Sequence, residues 1–277
     1  MLGEEGHVTV AQVREELGTS VATARRDLDA LAAQRRVVRT HGGASALASS
    51  GYERPLADKA AVHAEAKSAI ARATCALVAV GDVVGLNGGT TTTEVARELA
   101  RADHLTPADG SRGFTLVTNA LNIAFEVALR PHATVVVSGG TVRPRSFELS
   151  GPAARSSLQE LVLDVAVVGV DGVDARFGAT TMDAGEAEIG RALAGSARRV
   201  VVVADSSKHG ASGPQRLLDL DGVDVLVTDV APDGPLAGAL VEAGVRVVVA
   251  GQRRRAPGRD GTGALRVGPV QAGPPQG

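Results

Sequence analysis

At 277 residues the chain has room for one large domain and a small one, and can bury a sizeable core. Its 44% hydrophobic and 22% charged residues are ordinary for a soluble globular protein. A net charge of -2 excludes a globally basic nucleic-acid binder, and the single cysteine, Cys75, excludes both an intramolecular disulfide and a multi-cysteine metal site.

With aromatics at 2% and no Trp, the core must be built from Val, Leu, Ala and Ile. Cys75 falls in an apolar helical pattern and reads as packing. No run of about 18 apolar residues occurs, and no signal-peptide pattern opens the chain, so the expectation is a cytoplasmic protein with no membrane partner.

Three zones separate by composition. The first, residues 1–48, contains "TVAQVREELGTSVATARRDLDALAAQRRVVRTHGGA". Thr9 can cap a helix from Val10 to Leu17 with Gly18 beyond its end. Ser20 then caps a second helix, along which Val21, Ala24, Leu28 and Leu31 repeat at helical spacing. Two helices joined so closely make a helix-turn-helix, whose second helix enters the major groove of DNA. Its first turns would present Ser20, Thr23, Arg25 and Arg26, and the following "VVRTHGG" reads as a β-wing carrying Arg39 and His41. From Arg25 to His41 there are five Arg against two Asp, a local +3. An amphipathic hairpin with merely solvated arginines fits the same pattern.

Residues 49–57 read as a linker, with a helix expected from Ala57 to Val78. Within the second domain, residues 58–251, strands are expected at "VVGLN", "TLVTN", "ATVVVSGG", "VLDVAVVGV", "RRVVVVAD", "DVLVTD" and "VRVVVA". Near-continuous apolar runs suit a parallel sheet covered on both faces. Helical patterns lie between most of them, at Thr92–Ala100, Ala120–Leu129, Pro152–Leu161, Ala187–Ala197 and Pro235–Ala243. This alternation predicts an α/β open, mostly parallel sheet of Rossmann type. Residues 252–277, rich in Gly, Pro and Arg without periodicity, are expected to form a disordered tail.

In such sheets ligands bind beyond the carboxyl ends of the strands. Polar and glycine residues gather there: Asn87-Gly88-Gly89-Thr90, Thr118-Asn119, Ser138-Gly139-Gly140, Asp171-Gly172 and Asp205-Ser206-Ser207-Lys208. In "VGLNGGTTTTEVARELA" a strand, a Gly-rich turn and a hydroxyl-rich helix start make a phosphate cradle from the Gly88–Thr91 N–H groups and the Thr90 and Thr91 hydroxyls. Lys208, Arg143 or Arg145 could supply a cation, and Asp171, Asp205 and Asn119 could accept sugar hydroxyls. Asp171 also fits a plain turn, and Asn119 a helix cap.

Over residues 8–250 the sequence resembles the DeoR family of bacterial transcriptional regulators. "SVATARRDLDAL" resembles its recognition helix and "VVRTHGGA" its wing. "NGGTTTTEVA", "TLVTNALNIA", "VVVSGGTVRP", "FELSGPAA", "LDVAVVGVDGVD", "GEAEIGRAL" and "VVVADSSKHG" are similar to its sensor domain. The resemblance implies a winged helix joined to a sensor of the ribose-5-phosphate isomerase and CoA transferase fold. It further implies a phosphorylated sugar effector, a double-stranded DNA operator and a homo-oligomer, dimer or tetramer; no cofactor is called for.

Two departures stand out. The family carries a helix before the turn-helix pair, where this chain has only "MLGEEGH", so Val10, Val13 and Leu17 are expected to be exposed, through a start placed downstream or with weakened DNA binding. Gly190 stands where the family usually has a lysine, and Arg191 points about 100° away round the helix, which puts the effector in question. The rival reading is a sugar-phosphate isomerase, with Glu186, Glu188 or Asp171 as base. No lysine occurs between Lys67 and Lys208, so the acidic "DGVD" segment is expected to lack one nearby, and sensing is the preferred reading.

Overall fold

The computed structural model describes residues 7–33, 37–40, 42–46, 59–144 and 146–251. Its first unit begins with β1 (His7–Thr9), α1 (Val10–Leu17) and α2 (Val21–Ala33), followed by β2 (Val37–Thr40) and β3 (Gly43–Ala46). Thr9 caps α1 through a reciprocal pair with Gln12, and Gly18 ends it in the left-handed region at φ 60°. The Ser20 hydroxyl accepts the Thr23 N–H at 3.1 Å and starts α2. The three strands form an antiparallel sheet in the order β1-β3-β2, making the expected wing with one strand the sequence did not suggest.

The exposure expected for α1 is largely overturned. Val10 and Val13 are 7% and 8% exposed, packed in a small core with Val8, Ala24, Leu28, Val37 and Ala44. Only Leu17 stays outside, at 67%. The reason is β1: it brings Val8 into the cluster and its edge pairs with β3.

The second unit starts with α3 (Ala64–Cys75), shorter than the helix expected from Ala57. Residues 61–63 turn ahead of it, and His63 adopts φ 55° immediately before its first residue. The elements that follow are β4 (Val83–Leu86), α4 (Thr90–Arg101), β5 (Phe114–Thr118), α5 (Leu121–Ala128) and β6 (Ala133–Val137). A short hairpin, β7 (Thr141–Val142) and β8 (Leu149–Ser150), leads into α6 (Pro152–Gln159) and β9 (Val165–Gly169). After β10 (Gly172–Asp174) and β11 (Gly178–Thr181) come α7 (Ala184–Gly195), β12 (Val200–Val203), β13 (Gln215–Leu218), β14 (Val225–Thr228), α8 (Gly234–Glu242) and β15 (Arg246–Val249).

Seven strands form one wholly parallel sheet in the order β15-β14-β12-β9-β4-β5-β6. These are the seven read from the apolar runs. Successive residues alternate between its faces, as a pleated strand requires. Val84, Leu86, Val165, Val167, Val201 and Val203 pack beneath α3, α4 and α5, where Ile70, Val95, Leu99 and Ile123 meet them. On the other face Ala166 and Val168 meet Leu158 of α6 and Leu193 of α7, while Val202 and Leu226 meet Leu236 and Leu240 of α8. The antiparallel β10-β11-β13 sheet and the β7-β8 hairpin were not read from the sequence.

Candidate functional site

From β4 the chain moves outward to β5 and β6, then returns to lay β9 against the other side of β4 and proceeds to β12, β14 and β15. The topological switch therefore falls between β4 and β9, and a crevice opens where the two connections depart in opposite directions. A cavity of about 570 Å³ lies there. Asn87, Gly88, Gly89, Thr90, Thr91, Asp171, Glu186, Asp205 and Lys208 all line it.

The threonine run divides its work. The Thr92 and Thr93 hydroxyls turn back and donate to the Gly89 carbonyl, at 3.2 and 2.6 Å. Thr90 and Thr91 face the cavity, and no side chain caps the α4 N-terminus. Its first N–H groups and the positive end of the helix dipole thus lie at the cavity edge. The Gly88 N–H is engaged elsewhere, donating to Asn119 Oδ1 at 3.2 Å. Gly88 is a glycine because Glu148 packs on it: a Cβ there would stand 2.2 Å from Glu148 Cγ. The tight approach at this turn comes from within the protein.

Four expected contacts do not line the cavity. Asn119 is fully buried and uses both ends of its amide, accepting from Gly88 and donating from Nδ2 to the Leu149 carbonyl at 3.1 Å. Thr118 is also fully buried, its hydroxyl accepting the Ala120 N–H. Gly139 and Gly140 form the turn after β6, where a Cβ on Gly140 would meet the Ser150 carbonyl at 2.6 Å. The sequence identified strand ends correctly, but β5 and β6 lie one and two strands beyond β4, and their ends do not reach the cavity between β4 and β9.

Lysine is present after all. Lys59, Lys67 and Lys208 line the same cavity as Asp171 and Glu186, which corrects the expectation drawn from linear spacing. Lys67 is 5% exposed and its Nζ donates to the Lys59 and Val62 carbonyls, at 2.7 and 2.6 Å. Burial lowers its pKa, against the opposing pull of the Asp205 charge. Its position three and four residues before Ile70 and Ala71 on α3 was the available signal, a lysine on a buried helix face.

The acidic wall is a network. Asp171 Oδ2 accepts the Met182 N–H at 3.1 Å and lies 3.0 Å from the Thr181 hydroxyl, which is also 2.6 Å from Glu186 Oε2. Arg143 Nη1 donates to Glu186 Oε1 at 2.8 Å. Burial raises the Glu186 pKa, the Thr181 and Arg143 hydrogen bonds lower it, and the Asp171 charge raises it again. Asp205 is buried, accepts the Ser207 N–H and starts the short turn that carries Lys208. Arg145 lies outside the described residues.

Gly190 does not belong to this site. It is buried on α7 against β13, and a Cβ there would approach Leu217 Cδ1 to 2.7 Å. The face it occupies points at the core, and Gly190 does not line the cavity.

In the winged unit, Arg25 and Arg26 are exposed on α2, while Ser20 and Thr23 pair with one another at 2.9 Å across its start. Arg39 is paired within the unit: its Nε donates to Asp29 at 2.6 Å and its Nη1 to the Gly43 carbonyl. It ties the wing to α2 through an ion pair whose Asp29 side chain is exposed. His41 lies outside the described residues.

A small winged helix in one chain with a doubly wound sheet and a polar switch-point cavity defines a ligand-responsive DNA-binding protein. A family model for the DeoR-like helix-turn-helix domain matches residues 1–50, and one for the DeoR C terminal sensor domain matches residues 62–230. The chain is 35% identical to the HTH-type transcriptional regulator GlpR of Haloferax volcanii, over 87% of its own length and 90% of that protein. It is 30% identical to the glycerol-3-phosphate regulon repressor of Escherichia coli K12, over 84% and 88%, and 30% identical to a putative aga operon transcriptional repressor of Escherichia coli O157:H7, over 91% of each. The chain belongs to the DeoR family of transcriptional regulators. Among solved structures it is similar to ribose 5-phosphate isomerase A from Methanocaldococcus jannaschii, with 21% identity and a TM-score of 0.36 over 52% of this chain and 53% of that one.

Proposed function

We propose that the protein represses a carbohydrate-catabolism operon and that its cavity takes a phosphorylated sugar or sugar-derived metabolite. The observation that carries this reading is the uncapped N-terminus of α4, which opens into the switch-point cavity beside Thr90 and Thr91. The Gly89, Thr90 and Thr91 N–H groups and the two hydroxyls hold the phosphate, with Lys208 and Lys67 balancing its charge. Asp171, Glu186 and Asp205 accept sugar hydroxyls on the facing wall. Relatives named for glycerol 3-phosphate and for the aga operon support this class of ligand.

On the DNA side, Arg25 and Arg26 read base edges in the major groove of an operator. A cytoplasmic homo-oligomer places two winged helices on adjacent half-sites, and the effector acts by binding one arrangement of them more tightly than another.

A thermal-shift screen of sugar phosphates against their unphosphorylated sugars tests the assignment. A ligand at about 100 times its dissociation constant adds about 2.7 kcal/mol of stability. Stabilisation confined to phosphorylated compounds, absent in Thr90→Asp, is the expected result. Equal shifts with the free sugars, or a full response in Thr90→Asp, would remove the phosphate cradle. The lysines and carboxylates sharing the cavity favour one second reading, an isomerase, and recovery of the ligand as its isomer would establish it.

A further inference from the structure

The hydrogen bonds around the cavity close into a ring. Gly88 donates to Asn119, whose side chain donates to the Leu149 carbonyl and whose own carbonyl accepts the Leu149 N–H at 2.7 Å. Beside Leu149, the Glu148 carbonyl accepts the Arg143 N–H at 2.8 Å. The Arg143 side chain crosses to Glu186 at 2.8 Å, with Nη2 standing 3.3 Å from Asp183. Glu186 is joined through the Thr181 hydroxyl to Asp171, two residues beyond Gly169. Gly169 exchanges two hydrogen bonds with Asn87, and Asn87 adjoins Gly88.

One joint in this circuit, Arg143 to Glu186, is an ion pair. The Asn119 links are buried and tie backbone to amide, so nothing in the cavity competes for them. The Arg143–Glu186 joint pairs side chains from separate elements, both lining the cavity, and an anion entering there is a rival for the guanidinium. The β7–β8 hairpin has only two residues in each strand, too little to be stable alone. It is anchored on one side by Asn119 and by the Leu121 N–H, which donates to the Phe147 carbonyl at 3.0 Å, and on the other by Arg143. Phe147, within it, adopts φ 59°, a conformation a bulky residue keeps only where its surroundings impose it.

We propose that Arg143 is a positioning residue through which an anionic occupant of the cavity moves the β7–β8 hairpin, by drawing the guanidinium away from Glu186. The hairpin then turns about its remaining anchors at Asn119 and Leu121. This rests on the cavity being the effector site.

Hydrogen–deuterium exchange on the full chain tests it, with Arg143→Met, Arg143→Lys and Glu186→Gln compared to wild type. Without ligand, Arg143→Met should speed exchange across residues 141–150 about tenfold and leave β4 and β9 unchanged. Arg143→Lys, which keeps one donor on Glu186, and Glu186→Gln should fall between. sn-Glycerol 3-phosphate or inorganic phosphate at saturation should speed the same amides in wild type and add nothing in Arg143→Met. Unchanged hairpin exchange in Arg143→Met, or an undiminished ligand effect in it, overturns the proposal. If neither anion nor any sugar phosphate perturbs wild type, the effector reading fails, and the ligand-free comparison alone decides whether Arg143 anchors the hairpin.

Discussion

Asn87 and Gly169 exchange two hydrogen bonds, Asn87 Nδ2 to the Gly169 carbonyl at 2.9 Å and the Gly169 N–H to Asn87 Oδ1 at 2.8 Å. The β4–β9 ladder pairs Leu86 with Val167, and beyond it the connections part. The Asn87 amide substitutes for the next backbone pair, so the side chain braces the cavity where the sheet stops. Asn87→Ala leaves both Gly169 groups without this partner and should cost about 1–3 kcal/mol of stability. Asn87→Asp, which sets a buried carboxylate oxygen against the Gly169 carbonyl, should lose at least as much near neutral pH; chemical denaturation of both variants checks the order.

The exposed pair on α2 should carry operator affinity. Arg25→Ala and Arg26→Ala each should lose about 1–3 kcal/mol in operator binding if the side chain reads a base, with effector binding intact. Fluorescence anisotropy on the chain's own promoter DNA measures this, and wild-type affinity in both variants would displace α2 from the major groove.

Gly88 and Glu148 form a steric pair. Gly88→Ala forces the Glu148 side chain off the turn and should weaken both stability and effector binding. Combined with Glu148→Ser, which vacates the space, the alanine should be tolerated. A double-mutant cycle detects the coupling, and strictly additive losses would separate the two residues.

Gly190→Lys distinguishes a packing position from a binding one. Overfilling the site against Leu217 should cost about 1–3 kcal/mol and leave the choice of effector unchanged. Leu217→Ala in the same chain should recover part of the loss. A new ligand preference in Gly190→Lys would return the position to the binding site.

Burial first, then the Glu98 charge, push the Cys75 thiol from 9.0 up to about 11. A thiol raised in the folded state keeps its contribution to stability below pH 9 and loses it as pH rises through about 11. Folded protein at pH 8 should therefore react with iodoacetamide only as fast as it opens, and labelling rates across a urea series read this directly. Rapid labelling without denaturant would place the thiol outside the core.

How far the sequence reaches is clearest strand by strand. The seven apolar runs became the seven parallel strands: the inner five are buried on both faces and need apolar residues throughout, and the edge strands β6 and β15 carry the same run although part of it is exposed. Thr9, Gly18 and Ser20 were legible because caps are satisfied within three or four residues of themselves. β7, β8, β10, β11 and β13 were not, since two to four residues of mixed polarity carry no period and owe their pairing to partners brought in by the fold.

The same division holds for the site. Local chemistry alone determined that Gly89, Thr90 and Thr91 start a helix at a strand end, and that Asp171, Asp205 and Lys208 follow other strands. Tertiary structure decided which ends meet: it brought Lys67 from α3 and Arg143 from a hairpin into the cavity, kept Asn119 out of its lining, turned Gly190 to the core and tied Arg39 to Asp29. Hydrophobic patterning and capping act over one or two turns of chain, so a sequence records them directly. Which side chains share a cavity depends on strand order and on packing between distant segments, and only the folded chain contains those distances.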